Sequence, residues 1–549
     1  GRDVLAEGQQ KQLAEQIESL DLSHGGGPKL KRLLMRGIGV HHAGLLPRYR
    51  RIVEELFQEK LLSVCVCTET LAAGMNLPAR SVVLTSLVKG PPRKKKLLEA
   101  SGAHQMFGRA GRPQFDTEGH VFALAHEDDV RIAKHKLKVA QIPADTEDPK
   151  LMKKRKQMEK KTPRRREGVA YWSEAQFEKL RDAPAGKLES KGRLPWRLLA
   201  YLLDATPDLT PVRDAVGKRL LPPNLIESQQ KLLTRMLVTL HDGGYVTLDP
   251  PPPNSETGKG TSGGEDDAQD KPVAVADLLG SLTLGTGISD SPAPPPPEES
   301  DGDDDSDHTG SARFADYDPK QAHRTDKLDT LLQFRAVNPV YGAYLLEHLG
   351  MADPDEQLQI LESLLEMPNS VGRHVRVPRP EVMGPGTLAL DVIDMALIQR
   401  GLATQDEMYP SQDDRDNLPG QPRRFAIPLA QKVQMLFEAQ IDCGGYNPVR
   451  AVWAAGDLLN NFHGDFIKFI SARDLQRQEG VIFRHLLRLI LLFDEFAQQT
   501  PAGVLKDVWK ERLGGWATTL TASCRAVDPQ STDKMLEQAK QEADGPTEG

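Results

Sequence analysis

The sequence predicts an α/β domain at its start, a parallel sheet with helices on both faces, and a mostly helical remainder. Two observations carry this. Over residues 1–138 short β-branched runs alternate with amphipathic stretches, the pattern of parallel strands joined by helical crossovers. From Asp316 to about Lys540 apolar residues recur at helical spacing almost without interruption, which predicts an α-helical bundle.

In chain order, Arg36 to His41 (RGIGVH) predicts a strand, Arg48 to Lys60 a helix with Ile52, Val53, Leu56 and Phe57 on one side, and Leu61 to Cys67 (LLSVCVC) a second strand. Ser81 to Ser86 and His120 to Ala125 add two more strands, with a helix at Ala100 to Arg109 between them. Residues 139–168 read as a basic connector. Its run Lys150 to Arg166 carries ten basic residues and one acid, Glu159, so it is either a solvated helix or a contact with a phosphate backbone. Residues 169–250 read as three helices, the last about Asn224 to His241, then a Gly243-Gly244 turn and the strand Tyr245 to Leu248. That order is winged-helix grammar. Such a helix either enters a nucleic-acid groove or serves in packing, and packing is favoured because only Lys231 and Arg235 offer phosphate contacts. Residues 251–315 read as a disordered acidic linker of Pro runs and DGDDDSD, too poor in apolar side chains to offset chain entropy. Within it, Val273 to Leu284 is apolar enough to dock elsewhere or else forms a short disordered motif. Residues 316–540 give at least seven helices, among them Leu358 to Leu365, Ala430 to Ile441, Val481 to Phe496 and Val504 to Ala522.

Composition narrows the function. The formal charge of −8 conceals a segment, residues 251–313, with 14 acidic against 3 basic residues, so the remainder is mildly basic. No run of 18 apolar residues occurs, which excludes a membrane-spanning helix, and the first 25 residues read as a charged helix rather than a secretory signal. Four cysteines form no CxxC pair, which argues against a disulfide scaffold or zinc module and for a reducing cytoplasm. The chain begins at Gly1 rather than Met, so a piece of a longer protein is expected.

The sharpest chemical signal is Gln105-Met106-Phe107-Gly108-Arg109-Ala110-Gly111-Arg112-Pro113-Gln114-Phe115-Asp116. Two arginines three apart, behind a Gln and beside glycines that permit close backbone approach, can clamp a nucleotide γ-phosphate. Their planar forks match phosphate oxygens and stabilise charge as it develops in transfer. This segment resembles motif VI of the superfamily 2 DExH-box helicases. Gly39-Val40-His41-His42-Ala43-Gly44-Leu45-Leu46-Pro47 resembles the HHxGLLP element of the superkiller-type (antiviral) RNA helicase group, and Thr68-Glu69-Thr70-Leu71-Ala72-Ala73-Gly74-Met75-Asn76-Leu77-Pro78-Ala79 resembles its motif V.

The resemblance implies a second RecA-like domain and roles for its residues. Gln105, Arg109 and Arg112 would face the ATP phosphates, one arginine acting as a finger, and Gly74, Asn76 and Gly108 would shape the nucleotide-facing loops. His41, His42, Gly44, Thr68, Glu69 and Thr70 would line the nucleic-acid track. Adjacent histidines on a strand point to opposite faces, so no metal is expected at His41 and His42. The winged-helix pattern and the stretch from Val452-Trp453 to Phe496 resemble the group's later domains, the latter its DSHCT helical domain. Implied partners are single-stranded or partly duplex RNA and RNA-decay or processing proteins, with no membrane.

A helicase of this kind needs a GxxxxGK[ST] phosphate loop and a DExH box, and the sequence contains neither. Leu491-Leu492-Phe493-Asp494-Glu495 imitates a Walker B strand, but Arg484, Arg488 and Glu495 fall on one stripe at 100° per residue, as on an exposed helix face. The expectation is therefore the C-terminal part of an ATP-dependent RNA helicase, inactive alone, with Mg²⁺ ligands on the missing first RecA-like domain. The alternatives are a DNA repair or recombination helicase of the related group and a nucleic-acid-binding adaptor without ATPase activity.

Overall fold

A computed structural model describes residues 5, 7–69, 79–90, 94–111, 116–143, 149–186, 188–253, 317–410, 425–441 and 449–543. Helices α1 (Glu7–Glu18) and α2 (Gly27–Leu34) lead into strand β1 (Ile38–His41), helix α3 (Pro47–Gln58) and strand β2 (Val64–Cys67). Pro47 opens α3, where its fixed φ suits the helix and its missing N–H would have had no partner. Tyr49, Val53 and Leu56 form the buried stripe of α3. Strands β1 and β2 pair in parallel, with His41 opposite Cys67.

Next come β3 (Ser81–Leu84), the hairpin β4 (Val88–Lys89) and β5 (Lys96–Leu97), helix α4 (Ala100–Phe107) and β6 (His120–Ala123). β3 and β6 pair in parallel. A single sheet covered on both faces was expected; the described strands form two separate parallel pairs instead. Among the described residues each of β2 and β3 has one hydrogen-bonded neighbour. Val64 (43% exposed), Val66 (56%), Val83 (54%) and Phe122 (52%) remain open to solvent, whereas parallel strands normally bury such side chains on both faces.

The apolar cores divide the same way. Leu13, Leu34, Val53 and Leu62 belong to one continuous core with the helical remainder of the chain. Leu84, Leu87, Leu98 and Ala103 form a second core with Leu180. That second core reaches past α5 (Glu127–Ala140) and α6 (Pro149–Lys160) to α7 (Glu174–Arg181), so the expected boundary at residue 138 does not separate packed units.

Helices α8 (Trp196–Ala205), α9 (Thr210–Gly217) and α10 (Pro223–Asp242) precede β7 (Val246–Asp249), which pairs antiparallel with β8 (Gln321–Arg324). Residues 321–324, expected in the bundle, therefore complete the three-helix module. Ala322 is fully buried there, and its N–H donates to Pro207 O at 2.7 Å. The acidic stretch thus connects two paired strands rather than two domains; Val273 to Leu284 lies outside the described residues.

The remainder is helical: α11 (Leu328–Gln333), α12 (Pro339–His348), α13 (Pro354–Ser363), α14 (Asp394–Gln399), α15 (Leu429–Gln440), α16 (Ala454–Asn460), α17 (Phe466–Ala472), α18 (Glu479–Ala497), α19 (Lys506–Val527) and α20 (Pro529–Ala543). Ile482, Leu486, Leu489 and Phe493 bury one side of α18. The Walker-B-like segment lies in this helix, but Glu495 is not on an exposed stripe. It is half-buried and accepts the N–H groups of Arg335 (2.9 Å) and Ala336 (3.1 Å). An acid here satisfies backbone donors just ahead of α12. Among the described residues no helix is long and apolar enough to cross a membrane.

Candidate nucleotide and nucleic-acid site

Ala79 joins the two motif segments. Its N–H donates to Arg109 O (3.2 Å), and the Gly111 N–H donates to Ala79 O (2.9 Å). These bonds seat the end of the TETLAAGMNLPA segment beside GRAG. The close approach requires glycine: Gly111 has φ +62°, and a Cβ there would lie 2.4 Å from Gly119 Cα. A Cβ on Gly119 would in turn lie 2.5 Å from Ala110 C.

Helix α4, which carries Gln105, is held from below. Ala103 is fully buried, the Phe107 and Phe177 rings sit 5.9 Å apart, and His104 Nε2 lies 2.7 Å from Leu180 O. Because a carbonyl only accepts, that nitrogen carries the proton. Gly108 is the C-cap of α4; Gln105 and Gly108 are exposed, and Arg109 is half-buried in the turn that follows. A guanidinium at a helix C-terminus sits favourably in the helix dipole. Arg112, Gly74, Asn76 and Thr70 lie outside the described residues.

Thr68 and Glu69, both exposed, follow the end of β2. Glu69 Oε1 accepts from Lys89 Nζ at 3.2 Å, which ties this strand end to the β4–β5 hairpin. The hairpin was not anticipated. It presents Lys94, Lys95 and Lys96 to solvent above the buried Leu87 and Leu98. A usable signal existed in KGPPRKKK: the Gly-Pro-Pro sequence, a chain-breaking combination, inside a basic run flanked by leucines.

Two residues expected to touch nucleic acid are buried instead. His41 is 3% exposed, with Nε2 2.8 Å from Glu54 Oε1, and burial pushes its pKa below the ordinary value. Gly44 is buried, its carbonyl accepting the Gly480 N–H at 2.9 Å. His42 is half-buried, its Nδ1 accepting the Gly44 N–H at 3.0 Å; burial lowers its pKa as well.

The basic connector is partly consumed inside the molecule. Arg165 meets Asp129 at 2.6 Å and Arg166 meets Asp128 at 2.8 Å. The Tyr171 hydroxyl donates to Asp128 at 2.7 Å; hydrogen bonds from Tyr171 and Arg166 hold that carboxyl down to about 2. These arginines strap the connector to α5, leaving the lysines of α6 exposed. For a nucleotide, the donor set Gln105 and Arg109 suits phosphate oxygens. Among the described residues no group of three or more His, Cys, Asp or Glu side chains is placed to hold a metal ion.

Residues 12–114 match the helicase conserved C-terminal domain. Over 130 residues the chain is 40% identical to "Probable helicase HelY" of Mycobacterium leprae, covering 22% of this chain and 14% of that protein. It is 44% identical over 107 residues to "ATP-dependent RNA helicase mtr4" of Schizosaccharomyces pombe, covering 19% and 10%. It is also 38% identical over 154 residues to "DExH-box ATP-dependent RNA helicase DExH14" of Arabidopsis thaliana, covering 25% and 7%. The matched domain and these relatives support a superfamily 2 helicase assignment for the segment. The chain spans a small fraction of each of these relatives.

Proposed function

We propose that this chain supplies the arginine-bearing, nucleic-acid-contacting half of an ATP-dependent RNA helicase of the superkiller-type group. The observation that carries the reading is the backbone junction of Ala79 with Arg109 and Gly111, because it seats the end of the segment that resembles motif V beside the GRAG of the segment that resembles motif VI. In this reading Arg109 and Arg112 face the ATP phosphates, one of them as an arginine finger, with Gln105 beside them. Gly74, Asn76 and Gly108 shape the loops toward the nucleotide. Thr68, Glu69 and Thr70 meet the nucleic-acid strand next to the basic hairpin. The P-loop, DExH box and Mg²⁺ ligands come from another polypeptide segment, and ATP favours closure because both halves contact it. Residues 196–249 with 321–324 act as a winged helix, and α18 belongs to a DSHCT-like end. RNA is favoured over DNA by relatives whose printed names are RNA helicases.

The test is ATP hydrolysis by the purified chain with and without RNA. Background turnover is expected; RNA-stimulated turnover at about 1 to 100 per second, ordinary for phosphoryl transfer, would contradict the reading.

A further inference from the structure

Asp528, 1% exposed, stands at the junction of α19 and α20 and serves two helices at once. Its Oδ2 accepts the Arg48 N–H at 2.7 Å in the first turn of α3, and its Oδ1 accepts the Ser531 N–H at 3.1 Å in the first turn of α20. Arg51 completes the joint, with Nη2 3.1 Å from Asp528 Oδ1 and Nη1 donating to Ser531 Oγ at 2.8 Å. One carboxylate therefore satisfies otherwise orphaned donors at two helix N-termini, where negative charge is also favoured by the helix dipoles.

The start of α18 makes a second contact with the same region. The Gly480 N–H donates to Gly44 O, Arg484 Nη2 donates to Ala43 O at 3.0 Å, and Glu479 Oε1 accepts the Gly26 N–H at 3.1 Å. A Cβ on Gly480 would lie 1.9 Å from Leu45 O, so only glycine fits.

From this joint a continuous set of contacts runs to the strand end. α3 carries Glu54, which holds the buried His41 of β1. His41 is in register with Cys67, the last residue of β2, and Thr68 follows directly. We propose that Asp528 and Gly480 are positioning residues, through which the helical bundle fixes the strand end at Thr68 for nucleic-acid binding. This rests on the reading of Thr68 to Thr70 as nucleic-acid contacts. The second core, around Leu98, Ala103 and Leu180, lies off this path.

The test uses the full chain and its variants Asp528→Ala, Asp528→Asn and Gly480→Ala, with Phe437→Leu as a control that loosens the bundle away from the joint. Amide hydrogen exchange is followed by segment, and binding of a fluorescent single-stranded oligouridine is measured. Asp528→Ala should speed exchange across residues 38–67 at least about tenfold, the size of one lost cap, and Gly480→Ala, whose Cβ would press on Leu45 O, should speed exchange there as well, while residues 98–107 and 174–181 stay unchanged. Oligouridine binding should weaken in both. Asp528→Asn, whose amide oxygen still accepts, should fall between them and the parent, and Phe437→Leu should not change affinity. Unchanged exchange over 38–67, or faster exchange with undiminished affinity, overturns the inference. Absence of oligouridine binding by the parent chain would instead sink the nucleic-acid reading, and the exchange measurements would still decide the joint.

Discussion

Arg109 belongs to a turn built by backbone bonds and close glycine contacts, and Arg165 and Arg166 pair with carboxylates of the helix that follows β6. When the chain is joined to a P-loop half, Arg112→Ala should lower kcat by about 10³ or more, the lower range for losing an arginine finger. Arg112→Lys should rescue little, because an ammonium lacks the forked geometry; steady-state ATPase assays and melting curves would separate this from misfolding. Glu479 gives a pH signature. Burial pushes its carboxyl up to about 7 from an ordinary 4.5, so between those values the folded state binds more protons than the unfolded one. Stability should fall as pH rises through that window and level off above it. The urea midpoint of Glu479→Gln relative to that of the parent chain should rise between pH 5 and pH 8, a difference that isolates Glu479 from the buried His41 and His42, whose lowered pKa values act in the opposite sense. The sequence displayed the arginines openly, since their spacing beside glycine is itself chemical. It could not show that His41 faces Glu54, because that contact depends on how α3 lies over β1.

At the level of elements, α4 is kept in place by α7, a helix 70 residues further along, through Phe107, Phe177 and the His104 bond. Phe177 is half-buried, so Phe177→Ala should cost about 2 kcal/mol, below the range for a fully buried Phe, and should speed exchange in residues 100–107 while leaving 38–67 alone. Helix α18 was legible because a long apolar stripe at period 3.6 is hard to mistake. Strand β8 was not: Gln321-Ala322-His323-Arg324 has no β-branched side chain and no Phe, Tyr or Trp, and it becomes a strand by pairing with β7 far away in sequence. The β4–β5 hairpin escaped for a different reason, since strands of two residues cannot show a period.

Across the molecule, the α/β region and the bundle are not stacked as separate domains. The first strands share a core with the helices, and the motif VI helix shares another with α7. Periodicity identified the helices and strands but not this division, which is set by contacts between residues hundreds of positions apart. The central claim, that the β4–β5 hairpin and the strand end beside it face a nucleic-acid strand, is tested most directly by oligouridine binding to the purified chain over a range of salt. Log affinity should fall linearly with log salt, and the triple substitution of Lys94, Lys95 and Lys96 by Ala should make that slope shallower by about 2, at roughly 0.7 per phosphate contact on a single strand. Arg109→Ala, on the nucleotide side, should leave the slope unchanged. A flat salt dependence, or a slope indifferent to the three lysines, would contradict the account.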